Sequence, residues 1–362
     1  MVGVPVLPRR PLRLSSRSIG LVVSALVVIA LAVVAFVTPV PYVTMKPGPT
    51  FNTLGKLDDT PMFTFGDGVA TYPTTGTLEF TSVSVTRAET RIYLLEVLEA
   101  WFEEDSIVVP HDFMYPDNTS NADSDAAGAA QLANSQDAST AAALRAAGFD
   151  VSERVIIDSV VKGSPADGAL KKGDEIVAVD GRTVATVQAA ADSIADRKPG
   201  DDVTVTVVRK GLKKDVVIST VVNKDAPNRP RVGVTIAMTY DFPIEIENHI
   251  GDRVGGPSAG MMFALSMYDQ LTKGPLTGGQ QIAGTGSIQG TGEVGAVGGI
   301  AQKMAGAESA GADIFLVPAV NCGEYLEARS FDMTVVKVTK LQDAIDSIEA
   351  LAKNPKAKVP SC

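Results

Sequence analysis

The sequence has one long, uncharged apolar stretch near its N-terminus. Residues 19–37 contain no charged side chain, and at about 1.5 Å per residue a helix of this length approaches the roughly 30 Å thickness of a bilayer's hydrocarbon layer. A cluster of arginines precedes it, namely Arg9, Arg10, Arg13 and Arg17. By the positive-inside rule we predict a cytoplasmic basic tail at 1–18, a single-pass membrane anchor at 19–38 and an extracytoplasmic body. A cleaved signal peptide is the alternative interpretation.

Beyond the anchor, strand-like and helix-like spacings follow one another. Residues 76–85 and 242–246 alternate between apolar and polar side chains, which predicts strands. Residues 91–102 place apolar side chains at helical spacing. The small polar residues of 117–128 predict a loop, and the alanine-rich residues 129–147 predict a helix. The pattern therefore indicates that the body contains both strands and helices.

Residues 151–222 differ in character, because short apolar strands alternate there with glycine-containing turns. Strands are predicted near 155–161 and 176–179, and a short amphipathic helix at 187–195. Residues 203–209 and 216–222 alternate on either side of Lys210-Gly211, which predicts a closing hairpin. These elements indicate a small β domain within the longer chain.

Composition narrows the classes of function. The chain has 362 residues, a formal net charge of -10, 45% hydrophobic and 20% charged residues. An acidic chain of this kind is a poor binder of nucleic acid, because phosphate contacts need a basic surface. The two cysteines, Cys322 and Cys362, are too few for a disulfide scaffold, and whether they pair is left open. Scattered cysteines and histidines also lack the spacing of a zinc site, so no metal or other cofactor is predicted.

The first candidate catalytic residue lies in a glycine-rich turn. Gly255-Gly256-Pro257-Ser258 precedes a run of helical spacing that begins near residue 260. Unpaired N–H groups and the positive end of the helix dipole point toward such a serine. A hydroxyl beside free N–H donors has the parts of a nucleophile with an oxyanion hole. A serine that only caps the helix fits the same residues.

The second candidate is a lysine on an apolar helical face. Lys303 follows Gly298-Gly299, and Ile300, Met304 and Ala307 share its side of the predicted helix. Burial disfavours a charged lysine and lowers its pKa from about 10.4, so a neutral amine can accept a proton from serine. A surface lysine whose stem covers the apolar face is the alternative.

These segments resemble two known families. The GSPA motif at 163–166, Gly168, Gly173-Asp174 and Asp180-Gly181 resemble a PDZ domain, which implies peptide binding at a sheet edge. The segments around Ser258 and Lys303 resemble the Lon proteolytic domain, with Thr285-Gly286 similar to the strand whose threonine contacts the base. The whole body is similar to the bacterial PDZ-containing Lon-like proteases.

The resemblance implies a fold, an activity and partners. It implies an α+β Lon-type proteolytic domain with an inserted PDZ-like β domain, preceded by one transmembrane helix. The domains expected are 41–150 (first part of the Lon-like domain), 151–225 (PDZ-like), 226–350 (catalytic) and 351–362 (a tail).

The expected activity is a serine endopeptidase using Ser258 and Lys303, supported by Thr285 and by oxyanion donors at Gly255 or Gly256. There is no P-loop motif, so no ATP is expected. The expected partners are exposed or unfolded polypeptides and the membrane, and Lon-type domains self-associate. A non-catalytic membrane-anchored PDZ adaptor is the alternative.

Two other motifs carry less weight. Residues 290–295 fit the glycine spacing of a dinucleotide site, but the following helix begins too late to reach a pyrophosphate. His249 could form a triad with Ser258 and Asp252, although it lies in a polar loop.

Overall fold

The computed structural model describes residues 15–116, 119–223, 226–251 and 254–362. The arginines at 9, 10 and 13 of the predicted basic tail lie outside the described residues, as does Asp252 of the histidine hypothesis.

The helices of the described residues are α1 Ser16–Val37, α2 Leu94–Phe102, α3 His111–Met114, α4 Asn121–Ala146, α5 Val187–Ala195, α6 Gly260–Leu271, α7 Ile300–Ser309, α8 Cys322–Glu327 and α9 Leu341–Lys353.

The strands of the same residues are β1 Pro39–Val40, β2 Tyr42–Asn52, β3 Lys56–Leu57, β4 Thr60–Pro61, β5 Phe63–Phe65, β6 Thr77–Val85, β7 Ile92–Tyr93, β8 Ile107–Pro110, β9 Ser152–Val160, β10 Glu175–Val179, β11 Arg182–Thr183, β12 Asp202–Arg209, β13 Leu212–Ser219, β14 Val234–Asp241, β15 Ile246–Asn248, β16 Gln281–Gly284, β17 Ser287–Ile288, β18 Val294–Gly295, β19 Ile314–Pro318 and β20 Thr334–Val338.

Helix α1 is long and apolar enough to cross a membrane. It has 22 residues with a mean hydropathy of 3.0, and the protein buries none of it. Its first turn is capped by Ser15, whose side chain accepts a hydrogen bond from the Ser18 amide. A membrane anchor and a signal sequence both have these properties.

The central sheet of the body has the strand order β20-β19-β16-β6-β2-β8. The first four strands are parallel, and β2 runs antiparallel to both β6 and β8. Successive residues of a strand face opposite sides of the sheet, so β19 contributes side chains to two hydrophobic cores, one on each face of the sheet. Ile314 and Leu316 pack with the buried helix α6 and with α9, whereas Phe315 and Val317 pack with α7.

The second sheet forms the inserted β domain. Strands β13-β12-β10-β9-β14 lie side by side, with α5 packed against them, and β11 pairs with β10. The predicted helix at 187–195 and the hairpin around Lys210-Gly211 are both confirmed. Strand β14 pairs antiparallel with β9 and forms one edge of this sheet, although it lies beyond the predicted limit at residue 225.

One arginine joins the inserted β domain to the rest of the body. Arg145, at the end of α4, donates to the Gly290 carbonyl at 2.6 Å and to Glu153 of β9 at 2.9 Å. The ring of Tyr240 on β14 lies directly against Gly290, where a Cβ atom would come within 2.5 Å of the ring. The inserted β domain is therefore fixed to the turn between β17 and β18.

Two sequence predictions were wrong in detail. The predicted loop at 117–128 is helical from Asn121 onward, because Ser120 and Asp123 form a reciprocal capping box that starts α4 eight residues earlier than expected. Of the predicted strand at 242–246, only Ile246 belongs to a strand, as the first residue of β15, and residues 242–245 form a bend between β14 and β15. Pro243 interrupts this segment, because proline has no N–H to donate to a ladder.

The cysteines, whose pairing the sequence left open, form a disulfide between Cys322 and Cys362. The Lys337 amide donates to the Pro360 carbonyl at 2.9 Å, so the tail lies along β20. The disulfide thus links Cys362 to the first residue of α8.

Candidate active site

Ser258 lies two residues before the first residue of α6, and its backbone is held on one side by the end of β16. The Gly286 amide donates to the Ser258 carbonyl at 2.8 Å, and the Thr285 hydroxyl donates to the same oxygen at 3.1 Å. The Met261 amide returns a bond to the Gly286 carbonyl at 3.0 Å. The Ser258 amide has no hydrogen-bond partner among the described residues, so one N–H donor at this helix start is free.

The glycines before Ser258 allow α4 to approach closely. Gly256 has φ of +86°, a conformation that favours glycine. A Cβ added at Gly255 would lie 3.3 Å from the Gly128 Cα atom on α4. The Gly256 amide donates to the Gly128 carbonyl at 2.9 Å, and Ser135 donates to the Pro257 carbonyl at 3.0 Å. The loop that carries Ser258 is therefore held against α4.

Lys303 is buried with 2% of its surface exposed. Its helix α7 starts at Gly299, whose φ is +73° and where a Cβ would come within 2.9 Å of Val83. Its predicted apolar neighbours, Ile300 and Met304, are fully buried. Burial lowers the pKa of Lys303 from 10.5 to about 8, and the nearby Glu324 carboxylate opposes this by raising it.

The Thr285 side chain is hydrogen-bonded both to Lys303 and to the backbone of Ser258. Lys303 Nζ donates to Thr285 Oγ1 at 3.1 Å, and the same hydroxyl donates to the Ser258 carbonyl. Thr285 is fully buried, so both bonds are shielded from water. Within the described chain, Ser258 Oγ and Lys303 Nζ share no direct hydrogen bond, and this hydroxyl connects their two elements.

Two further residues, Asn321 and Glu324, fix the start of α7. Asn321 accepts from the Val297 amide at 3.0 Å and donates to the Val297 carbonyl at 2.8 Å. Glu324 accepts from the Ile300 amide at 2.8 Å, which places a carboxylate at the N-terminus of α7. No local pattern links Glu324 to a helix that begins 24 positions earlier.

Ser258 and Lys303 line one large cavity of about 1620 Å³. Its walls are the end of β6, the first turns of α4, the loop after β15 and the glycines Gly255 and Gly256. Small-molecule pockets span roughly 300–1,000 Å³, so this opening is large enough for a polypeptide.

The rival candidate His249 has other hydrogen-bond partners. His249 contacts Thr64 Oγ1 at 2.9 Å and makes no contact with Ser258. Across the described ranges there is no cluster of three or more metal-ligating side chains.

Comparison with known families matches two parts of the chain. Residues 130–220 match the PDZ domain model, and residues 248–350 match the C-terminal proteolytic domain of Lon protease (S16). The comparison with curated proteins gave no match.

Several solved structures are similar to part of this chain. The PDZ domain of the SdrC-like protein from Listeria monocytogenes is 27% identical, covering 23% of this chain and 86% of that chain, with a TM-score of 0.22. GtR34C from Geobacillus thermodenitrificans is 30% identical, covering 23% of this chain and 94% of that chain, with a TM-score of 0.21.

Proposed function

We propose that this chain, which belongs to the PDZ-containing Lon-like proteases, hydrolyses peptide bonds with Ser258 as the nucleophile and Lys303 as its general base. The observation that carries the proposal is the burial of Lys303 beside the serine loop, with its pKa lowered to about 8 and its amine bonded to Thr285. An amine that is partly neutral at ordinary pH can accept the serine proton.

The chemistry proceeds in two halves. Ser258 Oγ attacks the peptide carbonyl while its proton passes to Lys303 Nζ. The ammonium then gives that proton to the leaving amine, which breaks the C–N bond and leaves an acyl-enzyme. A water molecule next loses a proton to the neutral lysine and attacks the ester, and Ser258 recovers its proton from Lys303 as the acid product leaves. Thr285 keeps the amine directed toward the serine loop throughout.

Developing negative charge on the carbonyl oxygen needs N–H donors. The Ser258 amide, which has no partner among the described residues, supplies one. The Gly256 amide is a second candidate, but it is bonded to Gly128, so it becomes available only when this part of α4 moves away. Losing one oxyanion donor typically lowers kcat by about 10²–10³.

The substrates we propose are exposed or unfolded polypeptides outside the cytoplasm. The family match includes no ATPase, so the enzyme is proposed to act without ATP. The PDZ domain is proposed to bind peptide along β14, because β14 is an edge strand with α5 packed beside it. Helix α1 is proposed as a retained single-pass anchor.

The test uses the full chain in detergent with fluorescein-labelled casein as an unfolded substrate. Ser258→Ala and Lys303→Ala are each expected to abolish cleavage while thermal unfolding stays cooperative. Cleavage that continues at the wild-type rate in either variant would refute the dyad. If the wild-type chain neither cleaves casein nor is labelled at Ser258 by a fluorophosphonate, the non-catalytic adaptor becomes the better hypothesis.

A further inference from the structure

Helix α2 presents most of its apolar side chains to the outside of the protein. Val97 and Ala100 are buried on the side of α2 that faces β2 and β8. The exposed apolar side chains of the same helix, named here the apolar arc, are Leu94, Leu95, Leu98, Trp101 and Phe102. At 3.6 residues per turn the apolar arc covers about a third of the helix circumference. Among the described residues, no other helix of the body exposes more than one large apolar side chain.

The apolar arc begins where α1 ends. Helix α1 ends at Val37, and β1 pairs antiparallel with β7 through Pro39↔Tyr93. Tyr93 is the N-cap residue of α2 and lies about 5 Å from Pro39, the usual distance between paired residues. Helices α1 and α2 also contact each other. The start of α2 therefore lies beside the body's end of the apolar helix.

A second exposed aromatic side chain flanks the same end of α1. The amide of His111, the first residue of α3, donates to the Pro41 carbonyl at 3.0 Å. Phe113 of α3 is 80% exposed, and Phe102 at the end of α2 is 87% exposed. Backbone contacts thus hold α2 and α3 to residues 39–41, directly after the apolar helix.

The position of these side chains along α1 matches the surface of a bilayer. The 22 residues of α1 extend over about 33 Å, close to the roughly 30 Å thickness of the hydrocarbon layer. The end of α1 therefore lies near the boundary between hydrocarbon and headgroups. Tryptophan is enriched at this depth in membrane proteins, and the apolar face of an interfacial helix enters it by roughly 5–10 Å.

Apolar burial, and not charge, is the interaction that the apolar arc offers. The two acidic residues of α2, Glu96 and Glu99, lie outside the arc, and the chain has a formal net charge of -10. A surface of this kind gains nothing from anionic lipid. Its apolar side chains gain free energy when any lipid removes them from water.

We propose that α2 is an interfacial helix, whose apolar arc inserts into the surface of the membrane that α1 crosses, with Phe113 beside it. The body is then held against the bilayer, and does not move freely on a single helix. This inference rests on the proposed retention of α1 as an anchor, and it makes no use of Ser258 or Lys303.

Trp101 is the only tryptophan of the chain, so tryptophan fluorescence reports on α2 alone. The full chain is reconstituted in phosphatidylcholine vesicles, with and without lipid brominated on its acyl chains, which quenches tryptophan on contact. We expect brominated lipid to remove about half of the emission of an inserted arc. Emission that brominated lipid leaves unchanged would overturn the inference. If acrylamide on both sides of the vesicles also leaves it unchanged, protein covers the arc, as in a complex of two copies.

The matched control moves the tryptophan to the inserted β domain. Leu212 is 75% exposed, the same fraction as Trp101, and lies on β13, an edge strand of the second sheet. In the variant that combines Trp101→Phe with Leu212→Trp, acrylamide should quench the emission and brominated lipid should not. Equal lipid quenching of both tryptophans would refute a specific contact of α2 with lipid.

A second variant weakens the apolar arc without touching a buried residue. Leu98→Gln combined with Phe102→Gln removes two exposed apolar side chains, each of which contributes about tenfold to the partitioning of α2 into lipid. We expect the quenching of Trp101 by brominated lipid to fall about threefold or more, and its quenching by acrylamide to rise. Wild-type quenching in this variant would contradict the inference.

Flotation of the same vesicles separates this inference from the proposed anchor. Alkaline carbonate releases proteins that lie on a membrane and retains those that cross it. A chain that floats with the vesicles after this wash, but whose Trp101 is insensitive to brominated lipid, refutes the interfacial helix alone. A chain that the wash releases, but whose Trp101 was quenched by brominated lipid beforehand, refutes the retained anchor and supports the interfacial helix.

Discussion

The lowered pKa of Lys303 makes a quantitative prediction about pH. A lysine with its ordinary pKa of 10.5 is neutral in about one molecule in three thousand at pH 7. With the pKa lowered to about 8 by burial, about one molecule in ten is neutral at the same pH. The structure therefore multiplies the available base by about 300.

The assay is the pH dependence of kcat/KM for a casein-derived peptide between pH 6 and 10. The base must be neutral to act, so kcat/KM should rise tenfold per pH unit below about 8 and level off above it. A plateau that continues down to pH 6, or a rise that begins only above pH 9.5, would refute the assignment of Lys303 as a buried base.

A substitution of Glu324 tests the same quantity, the pKa of Lys303. Its carboxylate raises the pKa of Lys303, so Glu324→Gln should move the rising limb to lower pH. The glutamine oxygen can still accept the Ile300 amide that Glu324 accepts at 2.8 Å, which preserves the start of α7. A limb that stays in place, or moves to higher pH, would show that Glu324 does not act electrostatically on the base.

Three further changes have definite expected outcomes. Lys303→Met should be inactive but more stable than the wild type below pH 8, by up to about 3 kcal/mol. The pKa of Lys303 is lower in the folded state than in the unfolded state, so protonation destabilises the wild-type fold as pH falls from 10.5 through 8. Equal urea midpoints of the two proteins at pH 7 would contradict this. The added Cβ of Gly128→Ala fits at 3.5 Å from the Gly255 Cα and stabilises α4 by up to about 1 kcal/mol. If catalysis requires the hydrogen bond from the Gly256 amide to the Gly128 carbonyl to break, kcat should fall about fivefold. A higher melting temperature with unchanged kcat would exclude that requirement. Cys362→Ser should lose about 2–4 kcal/mol of stability, and a reductant should destabilise only the wild-type chain, as denaturant curves will show.

Local sequence was informative wherever an element is determined by its own residues. The helix Val187–Ala195, the hairpin closed by Lys210 and Gly211 and the apolar helix α1 all match their predictions. Periodicity reports which face of an element is buried, and turn residues report where it ends. The motif residues near Ser258 and Lys303 were likewise found from sequence, because both lie at glycine-marked helix starts.

Local sequence patterns did not predict the contacts between segments that are distant in the chain. Ser258 lies just before a helix on one face of the central sheet, whereas Lys303 lies on a helix on the other face, and both residues line one cavity. The bond from Gly256 to Gly128 and the cap that Glu324 gives to α7 join segments far apart in the chain. Such contacts depend on the register and handedness with which strands assemble, which no local pattern of side chains encodes.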